Sequence, residues 1–431
     1  MKDGGRLAAA IEVLTEVDTR HRPVQVALKE WGSSHRFAGS GDRTAIGNLV
    51  FDALRNRASL AARMASDTPR AIVLATYVHT WGNSVDALTK VLSSDRHAPE
   101  SLTEEEIEGF SRVGDAGFRD FEKADVPEWL WPEFEAVFGD QAIAEGQQLA
   151  TRAPVDLRTN TLKADRDKVL KRLAHTGAVP AELSPVGIRL VAKPGQARMP
   201  HIQAEEGYRK GWFELQDEAS QLAAYMAQAQ PGEQVLDYCA GGGGKTLALA
   251  ATMQNKGQLY AFDADRLRLA PIHERLQRAN VRNIQVRDPA STTLDDLKDQ
   301  MDLVFIDAPC TGTGVWRRRP DSKWRLSEKA LADRIEDQRH VLEQASRYVK
   351  PGGRIVYVTC SILPSENQHQ ASWFLENHPD FQSVSALEQW KKMLPGQNTP
   401  SYVSDRGDIL LTPNSTSTDG FFVALFERKQ P

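Results

Sequence analysis

Two cysteines follow segments whose pattern predicts β-strands. Cys310 lies just beyond the apolar segment 302–306, and Cys360 directly follows the segment 354–359. Helical segments separate the predicted strands, so we expect a parallel sheet with both cysteines at carboxyl ends of strands, on one edge. A thiolate can add to carbon 6 of a cytosine ring, and the resulting enamine can accept a methyl group at carbon 5. A single cysteine is more often a small buried hydrophobic residue, but two at one edge favour the covalent chemistry.

An acidic residue accompanies the first cysteine. Asp307 ends the same predicted strand. Its carboxyl group could hydrogen-bond nitrogen 3 and the amino group of the ring and so stabilise charge as the thiolate adds. The alternative is a cap at the strand end, and the neighbouring cysteines favour the catalytic role.

A run of glycines lies between a predicted strand and a predicted helix. Residues 239–245 read Cys-Ala-Gly-Gly-Gly-Gly-Lys and follow the strand 234–237. Glycines let the backbone approach a ligand closely, and N–H groups at the start of a helix face an anion such as a carboxylate. The run is not a P-loop, which needs a glycine where Cys239 stands, and it is not the dinucleotide-binding fingerprint, because Thr246 occupies the third glycine position.

Acids end or follow the next two predicted strands. Asp263 ends the strand 258–263 and can accept hydrogen bonds from both hydroxyls of a ribose, and Asp288 follows the strand 284–286 and can accept from an adenine amino group. For either residue alone, an exposed loop aspartate is the commoner interpretation. Together with the glycine run, the two acids predict a nucleoside-binding crevice.

A dense basic segment follows Cys310. It interleaves cations with Trp316 and Trp324, a mixture suited to phosphates and stacked bases of single-stranded nucleic acid. The alternative is a solvated charged loop. The candidate RNA-binding residues are Arg317, Arg318, Arg319, Lys323, Trp324 and Arg325.

Composition excludes several classes of protein. The 431 residues are 41% hydrophobic and 26% charged with a net charge of −5, which is ordinary for a globular protein. No run of roughly 18 apolar residues occurs, and acids interrupt the first apolar stretch, so we expect neither a membrane span nor a signal peptide and place the chain in the cytoplasm. Three cysteines predict no disulfide framework and no metal site.

The chain divides into three predicted units, of which the first two precede the glycine run. Residues 1–125 carry apolar residues at helical spacing, and Thr103 with Glu106 predicts a capping box within them. Residues 126–215 mix short extended runs with a polar helix, which is typical of a small α+β unit.

The third unit, residues 216–431, alternates strands with helices. It ends in two predicted strands, near 408–412 and 420–427, joined by a polar loop. This pattern predicts an α/β fold: a doubly wound parallel sheet with an antiparallel pair of strands at its edge.

Several ordered motifs span about residues 126 to 428. They are 157–163 (Leu-Arg-Thr-Asn-Thr-Leu-Lys), 215–220 (Leu-Gln-Asp-Glu-Ala-Ser), the glycine run, 307–314, 320–325, 359–361 with Glu366 and Asn367, and 419–422. Together they resemble the Nop/Sun family of RNA cytosine-5 methyltransferases, most closely the bacterial ribosomal RNA small-subunit methyltransferase B type. The resemblance implies a Rossmann-like class I methyltransferase domain, S-adenosyl-L-methionine as cofactor and ribosomal RNA as partner.

The resemblance also implies roles for individual residues. Cys360 matches the nucleophile, and Cys310 matches the second cysteine, which assists release of the methylated product; DNA cytosine-5 methyltransferases use the Pro-Cys cysteine, here Cys310, as nucleophile instead. Asp307 would contact the cytosine near the methyl donor, and Lys245 would be a basic residue near the target. The cofactor-binding residues implied are Cys239, Ala240, Gly241, Gly242, Gly243, Gly244 and Lys245 for the methionine end, Asp263 for the ribose, Asp288 for the adenine, and Asp307.

The glycine run departs from the family pattern. The family usually reads Cys-Ala-Ala-Pro-Gly-Gly-Lys, whereas this chain has glycine at positions 241 and 242. Losing the proline frees the backbone, so we expect weaker cofactor binding, by on the order of 1 kcal/mol if nothing compensates.

The N-terminal helical segment resembles the NusB-like RNA-binding domain of the same methyltransferase type. The best stretch is 47–55, Gly-Asn-Leu-Val-Phe-Asp-Ala-Leu-Arg. A purely structural helical cap is the alternative.

Three functions from different classes therefore stand at this point. The first is 5-methylcytosine formation in ribosomal RNA by a monomeric enzyme. The second is an RNA-binding ribosome-assembly factor whose altered glycine run has weakened catalysis. The third is cytosine-5 methylation of transfer RNA or DNA.

Overall fold

The computed structural model describes residues 1–290 and 293–430. Two compact units emerge, the first comprising Met1–Ala153, Ala192–Met199 and Val315–Leu326, and the second Pro154–Val191, Pro200–Gly314 and the residues from Ser327 onward. These units cut across the predicted boundaries, because 126–153 folds with the N-terminal helices and most of 154–215 folds with the large sheet. The division at residues 125 and 215 stays a prediction.

Residues 1–154 form helices, and strands begin at Val155. In chain order the α-helices are α1 (Asp3–Arg20), α2 (Val24–Ser34), α3 (Ser40–Arg55), α4 (Arg57–Met64), α5 (Pro69–Ala75), α6 (Val85–Ser94), α7 (Glu104–Ser111), α8 (Asp120–Lys123), α9 (Trp131–Phe138), α10 (Ala142–Leu149), α11 (Arg166–Leu173), α12 (Glu206–Arg209), α13 (Glu218–Met226), α14 (Gly244–Thr252), α15 (Arg266–Leu269), α16 (Ile272–Ala279), α17 (Pro320–Arg325), α18 (Glu328–Ser346), α19 (Gln368–Asn377), α20 (Ala386–Met393) and α21 (Pro413–Thr416). The strands are β1 (Val155–Thr159), β2 (Val179–Pro180), β3 (Gly187–Leu190), β4 (Phe213–Leu215), β5 (Gln234–Asp237), β6 (Gln258–Phe262), β7 (Ile284–Arg287), β8 (Met301–Asp307), β9 (Val349–Thr359), β10 (Phe381–Val384), β11 (Tyr402–Val403), β12 (Ile409–Leu411) and β13 (Phe421–Arg428). No helix in the described part of the chain combines the length and apolar character needed to cross a membrane.

The first unit is helical, as predicted for residues 1–125. In α1 the buried side chains Leu7, Leu14 and Val17 recur three or seven residues apart, so they lie on one face, and α1 packs against α3 and α5. The capping box is confirmed: Thr103 Oγ1 accepts from the N–H of Glu106 at 3.2 Å, and the Glu106 carboxylate accepts from the N–H of Thr103 at 3.0 Å. It fixes the start of α7.

A four-stranded antiparallel sheet opens the second unit. Its order is β2-β3-β1-β4, and α11 and α12 accompany it. The predicted extended runs and polar helix of this region correspond to β1, β3 and α11, whose N-cap is Asp165.

The nine-stranded sheet forms the centre of the second unit. Its order is β11-β12-β13-β9-β8-β5-β6-β7, with β10 paired to β13. Strands β9, β8, β5, β6 and β7 are parallel neighbours. The chain runs outward from β5 to β7 on one side and continues with β8 and β9 on the other. Strand order therefore reverses at β5, and the carboxyl ends there frame a ligand crevice.

The end of the chain corrects one expectation. β12 and β13 are antiparallel as predicted, but β13 is not at an edge, since it also pairs with β9 and β10. Residues 421–426 are apolar on both faces and all buried, which is typical of an internal strand. The predicted polar loop between the two strands contains the short helix α21.

Candidate active site

The predicted catalytic and cofactor residues all lie in the second unit, at one edge of the large sheet. β5 ends at Asp237 and β8 at Asp307, and β9 ends just before Cys360. Asp263 and Asp288 directly follow β6 and β7. Because these five strands are parallel neighbours, their carboxyl ends share one edge.

The two thiols at this edge are in contact. Cys310 Sγ and Cys360 Sγ are 3.3 Å apart, and both residues are partly exposed. The N–H of Gly314 donates to the carbonyl of Cys360 at 3.0 Å, which joins the segment after β8 to the segment after β9. The hydrogen bond with Cys360, together with burial, raises the pKa of the Cys310 thiol well above its ordinary value. The two thiols share one hydrogen-bond contact, in which either sulfur can be the donor.

Lys245 and Asp307 form an ion pair at the same edge. Lys245 Nζ donates a hydrogen bond of 2.7 Å to Asp307 Oδ2. Burial favours the neutral amine, but the charge and hydrogen bond of Asp307, assisted by Cys360, outweigh it and raise the pKa of Lys245 above its usual value. Lys245 therefore stays cationic. The Asp307 side chain is 33% exposed, so a ligand at the edge can reach it.

The glycine run adopts a conformation that only glycine tolerates well. Gly241 and Gly243 have φ of +49° and +81°, in the left-handed region. The N–H of Gly241 donates to Asp263 Oδ2 at 2.9 Å, and a Cβ on Gly243 would lie 2.5 Å from Ile272 Cγ1. Asp263 at the end of β6 and Ile272 on α16 thus fix the backbone of the run at Gly241 and Gly243.

Asp263 and Asp288 have different surroundings. Asp263 is almost fully buried and accepts from the N–H groups of Gly241 and Asp265, each at 2.9 Å. A carboxylate offers about four acceptor sites, so about two remain for a ligand. Asp288 accepts from the N–H of Ala290 at 3.0 Å and lies 3.3 Å from Nε of Arg266.

Two further polar groups lie beside the glycine run. Asp237 is fully buried, and burial raises the pKa of its carboxyl group to about 7. Thr246 Oγ1 donates to Asp237 Oδ2 at 2.6 Å, whereas Asp237 Oδ1 has no hydrogen-bond partner among the described residues. Burial, followed by the charges of Asp263 and Asp237, raises the pKa of the Cys239 thiol, which is therefore protonated.

Sequence reasoning assigned no role to the group that fixes the Cys310 segment. The buried carboxylate of Glu366 accepts from the N–H of Thr311 at 2.8 Å, from Thr311 Oγ1 and from Gln338 Nε2 at 3.0 Å. Gln338 Nε2 also donates to the carbonyl of Pro309 at 2.9 Å. Burial raises the pKa of Glu366, with the hydrogen bonds opposing the shift. The Glu366-Asn367 motif was the available signal, but one sequence does not reveal its partners.

The basic segment after Cys310 belongs to the first unit and is largely turned inward. Lys323 is 1% exposed, and its Nζ donates to the carbonyls of Arg55 at 3.0 Å and Asp125 at 2.6 Å. Burial lowers the pKa of Lys323 to about 8. Arg317 is 5% exposed, and its carbonyl accepts from the Arg55 guanidinium. The expectation that Lys323 and Arg317 present their cations to RNA is therefore corrected.

The remaining residues of the segment divide by exposure. Trp316 is fully buried and stacks on Phe134, so it is a core residue of the first unit. Trp324 is partly buried and donates its indole N–H to the carbonyl of Leu54 at 2.6 Å. RNA contact by Trp324 and by the exposed or partly exposed Arg318, Arg319 and Arg325 stays a prediction.

The fold and this edge together define a class of protein. A doubly wound sheet with a glycine run after its first strand, acids after the next two strands, and an antiparallel strand against β9 is the architecture of class I S-adenosylmethionine-dependent methyltransferases.

Comparison with known proteins indicates which family of this class the chain resembles. Residues 224–427 match the family model of the 16S rRNA methyltransferase RsmB/F, and residues 126–195 match the ferredoxin-like domain of RsmF/B-like methyltransferases. The chain is 33% identical over 312 residues to the probable ribosomal RNA small subunit methyltransferase B of Synechocystis sp., covering 70% of this chain and 67% of the relative. It is 35% identical over 324 residues to the ribosomal RNA small subunit methyltransferase B of Sodalis glossinidius, covering 73% and 69%.

Solved structures agree with this assignment. The crystal structure of PH0851 has a TM-score of 0.75 at 26% identity and covers 99% of both chains. A methyltransferase homologue from Pyrococcus horikoshii has a TM-score of 0.60 at 26% identity, covering 73% of this chain and all of its own. The chain belongs to the 16S rRNA methyltransferase RsmB/F family. The predicted family, the class I fold and S-adenosylmethionine as methyl donor are thereby confirmed.

Proposed function

We propose that the protein methylates carbon 5 of a cytosine in small-subunit ribosomal RNA through a covalent adduct with Cys360. The observation that carries this proposal is the 3.3 Å contact between Cys360 Sγ and Cys310 Sγ at the carboxyl ends of two neighbouring parallel strands. Two thiols in contact suit a mechanism in which one sulfur adds to the ring and the other acts as the base, and the family resemblance assigns the addition to Cys360. The RNA target rests on the relatives, which are named as ribosomal RNA small subunit methyltransferases.

The first step forms the adduct. Cys360 Sγ bonds to carbon 6 of the cytosine, and the electron pair of the 5,6 double bond moves into the ring. The Asp307 carboxylate accepts a hydrogen bond from the amino group, and the nearby Lys245 ammonium offsets the negative charge that the ring gains. Lys245 keeps Asp307 in place through the 2.7 Å ion pair. Carbon 5 then takes the methyl group that the sulfonium of S-adenosylmethionine supplies.

The second step releases the product. Once Cys360 is a thioether, the hydrogen bond between the two thiols is gone, and Cys310 loses its proton to solvent and acts as the base. Its thiolate removes the proton from carbon 5, the 5,6 double bond re-forms, and the bond between carbon 6 and sulfur breaks. The electron pair returns to Cys360, and the proton taken from carbon 5 stays on Cys310.

The residues around the glycine run fit the methyl donor. The unpartnered Asp237 Oδ1 and the two remaining acceptor sites of Asp263 suit an ammonium group and ribose hydroxyls. The α14 N-terminus and Lys245 suit the methionine carboxylate. Asp288 would bind the adenine amino group beside Arg266.

The experiment is methyl transfer with tritiated S-adenosylmethionine and small-subunit ribosomal RNA from cells that lack this gene, followed by bisulfite sequencing. We expect methylation at a defined cytosine, no product with Cys360→Ser, and a covalent protein–RNA complex on denaturing gels with Cys310→Ser. Cys239→Ser is the control, which traps no RNA. Methylation by Cys360→Ser, or a methyl group on another base, would overturn the proposal.

A further inference from the structure

The four consecutive glycines that precede Lys245 need an external restraint. A glycine backbone samples many more conformations than other residues, so a run of four binds a ligand poorly unless its neighbours fix it. Two of the four, Gly241 and Gly243, have φ of +49° and +81°. Gly241 is hydrogen-bonded to Asp263, and Gly243 packs against Ile272. The peptide bond after Gly242 lies between these two contacts.

The side chain of Arg275 contacts that peptide. Arg275 Nη1 donates to the carbonyl of Gly242 at 2.7 Å. A Cβ on Gly242 would lie 3.4 Å from Arg275 Nη1, and one on Gly244 would lie 3.8 Å from Nη2. The guanidinium therefore lies along the run, in van der Waals reach of two of its glycines.

A buried carboxylate fixes the other side of the guanidinium. Glu214 on β4 is 3% exposed, and its Oε2 accepts from Arg275 Nε at 3.2 Å and Nη2 at 3.0 Å. The planar guanidinium is thus held at three nitrogens, two on Glu214 and one on the glycine run. Glu214 Oε1 accepts separately from Arg278 Nη2 at 2.7 Å, and Arg278 makes no hydrogen bond to the run.

We infer that Arg275, oriented by Glu214, is the positioning residue that supplies to this glycine run the rigidity that a proline at position 242 would supply. The pair clamps the Gly242 carbonyl, so the N–H groups of the following peptides keep one orientation toward the cofactor. The inference rests on the proposed placement of the methyl donor on this run. It also accounts for how the chain tolerates the departure from the family pattern.

The test compares Arg275→Gln with Arg278→Gln by calorimetric binding of S-adenosylhomocysteine. Both variants remove one partner of Glu214, but only the first releases the glycine run. We expect Arg275→Gln to weaken binding about five- to tenfold, the loss that restored loop freedom predicts, and Arg278→Gln to change it less than about twofold. For Arg275→Gln, KM for S-adenosylmethionine should rise while kcat at saturation stays close to wild type.

A second substitution tests rigidity directly. Gly242 has a φ outside the left-handed region and its N–H takes part in no hydrogen bond given by the described structure, so Gly242→Pro removes no hydrogen bond and restores the family residue. In the Arg275→Gln background it should restore affinity to within about twofold of wild type.

The outcomes separate this inference from the proposed function. If the wild-type protein does not bind S-adenosylhomocysteine, the proposed cofactor site fails. If it binds and the two arginine variants bind alike, the role of Arg275 is refuted. If Arg275→Gln weakens binding and Gly242→Pro does not restore it, the arginine acts through its charge and the inference also fails.

Discussion

Cys310 Sγ lies 3.3 Å from Cys360 Sγ, across the ends of the neighbouring parallel strands β8 and β9. A disulfide needs an S–S separation of about 2.05 Å, so a small shift would join the two sulfurs. The two thiols that we propose act in successive steps on one ring are therefore also placed for oxidation.

Diamide should convert these two thiols to a disulfide, with the two hydrogens transferred to the diamide. The count of free thiols in the denatured protein should fall from three to one, and methyl transfer should stop until dithiothreitol is added. Cys239→Ser should be inactivated in the same way, whereas Cys310→Ser should form no internal disulfide. A count that remains at three after treatment would contradict the contact.

Asp307→Asn tests the ion pair with Lys245. The asparagine keeps the shape but carries no charge to balance Lys245 and is a weaker acceptor for the amino group of the ring, so kcat should fall by on the order of 10²-fold or more. Single-turnover methylation measures the chemical step. Asp295→Asn, at an exposed carboxylate paired with Lys298, is the matched control and should keep full activity. Equal rates for the two variants would remove Asp307 from the mechanism.

Gly243→Ala tests the packing of the glycine run. The new Cβ would meet Ile272 Cγ1 at 2.5 Å, in addition to the strain of a left-handed φ. Gly177→Ala is the matched control, since Gly177 has a similar φ of +78° but nothing within 4 Å of the added Cβ. We expect urea denaturation to show a loss about 1–3 kcal/mol larger for Gly243→Ala than for Gly177→Ala. Equal losses would mean that Ile272 yields without cost.

The buried carboxyl group of Asp237 predicts a pH dependence of stability. Its folded pKa of about 7 lies above the ordinary value of 3.8, so between these values the folded state binds a proton that the unfolded state does not. Its contribution to the free energy of unfolding is complete below about pH 4 and is lost as pH rises through 7, with a slope of at most about 1.4 kcal/mol per pH unit.

Urea denaturation of wild type and Asp237→Asn from pH 4.5 to 7.5 measures this contribution. The difference in unfolding free energy should move steadily in favour of the asparagine variant as pH rises. Parallel curves would show that Asp237 is ionised throughout this range in the folded protein.

Substitutions of Lys323 and Arg319 should distinguish a cation that stabilises the fold from a cation that binds RNA. Lys323→Met leaves the carbonyls of Arg55 and Asp125 unpaired, at a cost of about 1–3 kcal/mol each at most, so stability should fall. Arg319→Gln, at an exposed position, should leave stability unchanged but weaken RNA binding and reduce the salt dependence of log Kd by about one. A change in salt dependence with Lys323→Met and none with Arg319→Gln would reverse the assignment.

Sequence patterns were sufficient for the sheet edge that carries the chemistry. Alternating apolar and helical segments predicted β5, β6, β7, β8 and β9 to within a few residues at their carboxyl ends, and parallel connections then required Asp307 and Cys360 to share an edge. The two-residue strand β11 and the strand β10 were missed, since such short segments carry little periodic signal.

Hydrogen bonds between residues that are far apart in the chain explain what sequence reasoning got wrong or left out. A run of cations looks the same whether it faces water or backbone carbonyls, and Lys323 is buried by carbonyls 268 and 198 residues away. Arg275 and Glu214 are likewise 61 residues apart in the chain. No local pattern connects such positions, so only the fold reveals them.

The position of β13 has a consequence for the order in which the protein matures. β13 pairs with β9 along six residues, from Thr359 to Arg354, so β9 is a bare edge until residues 421–428 have been synthesised. An open apolar edge invites pairing with other chains, which makes the nascent protein prone to aggregation at that stage. The strand leading to Cys360 gains its second neighbour only then, so the sheet edge that carries both thiols is complete only after β13 has been made.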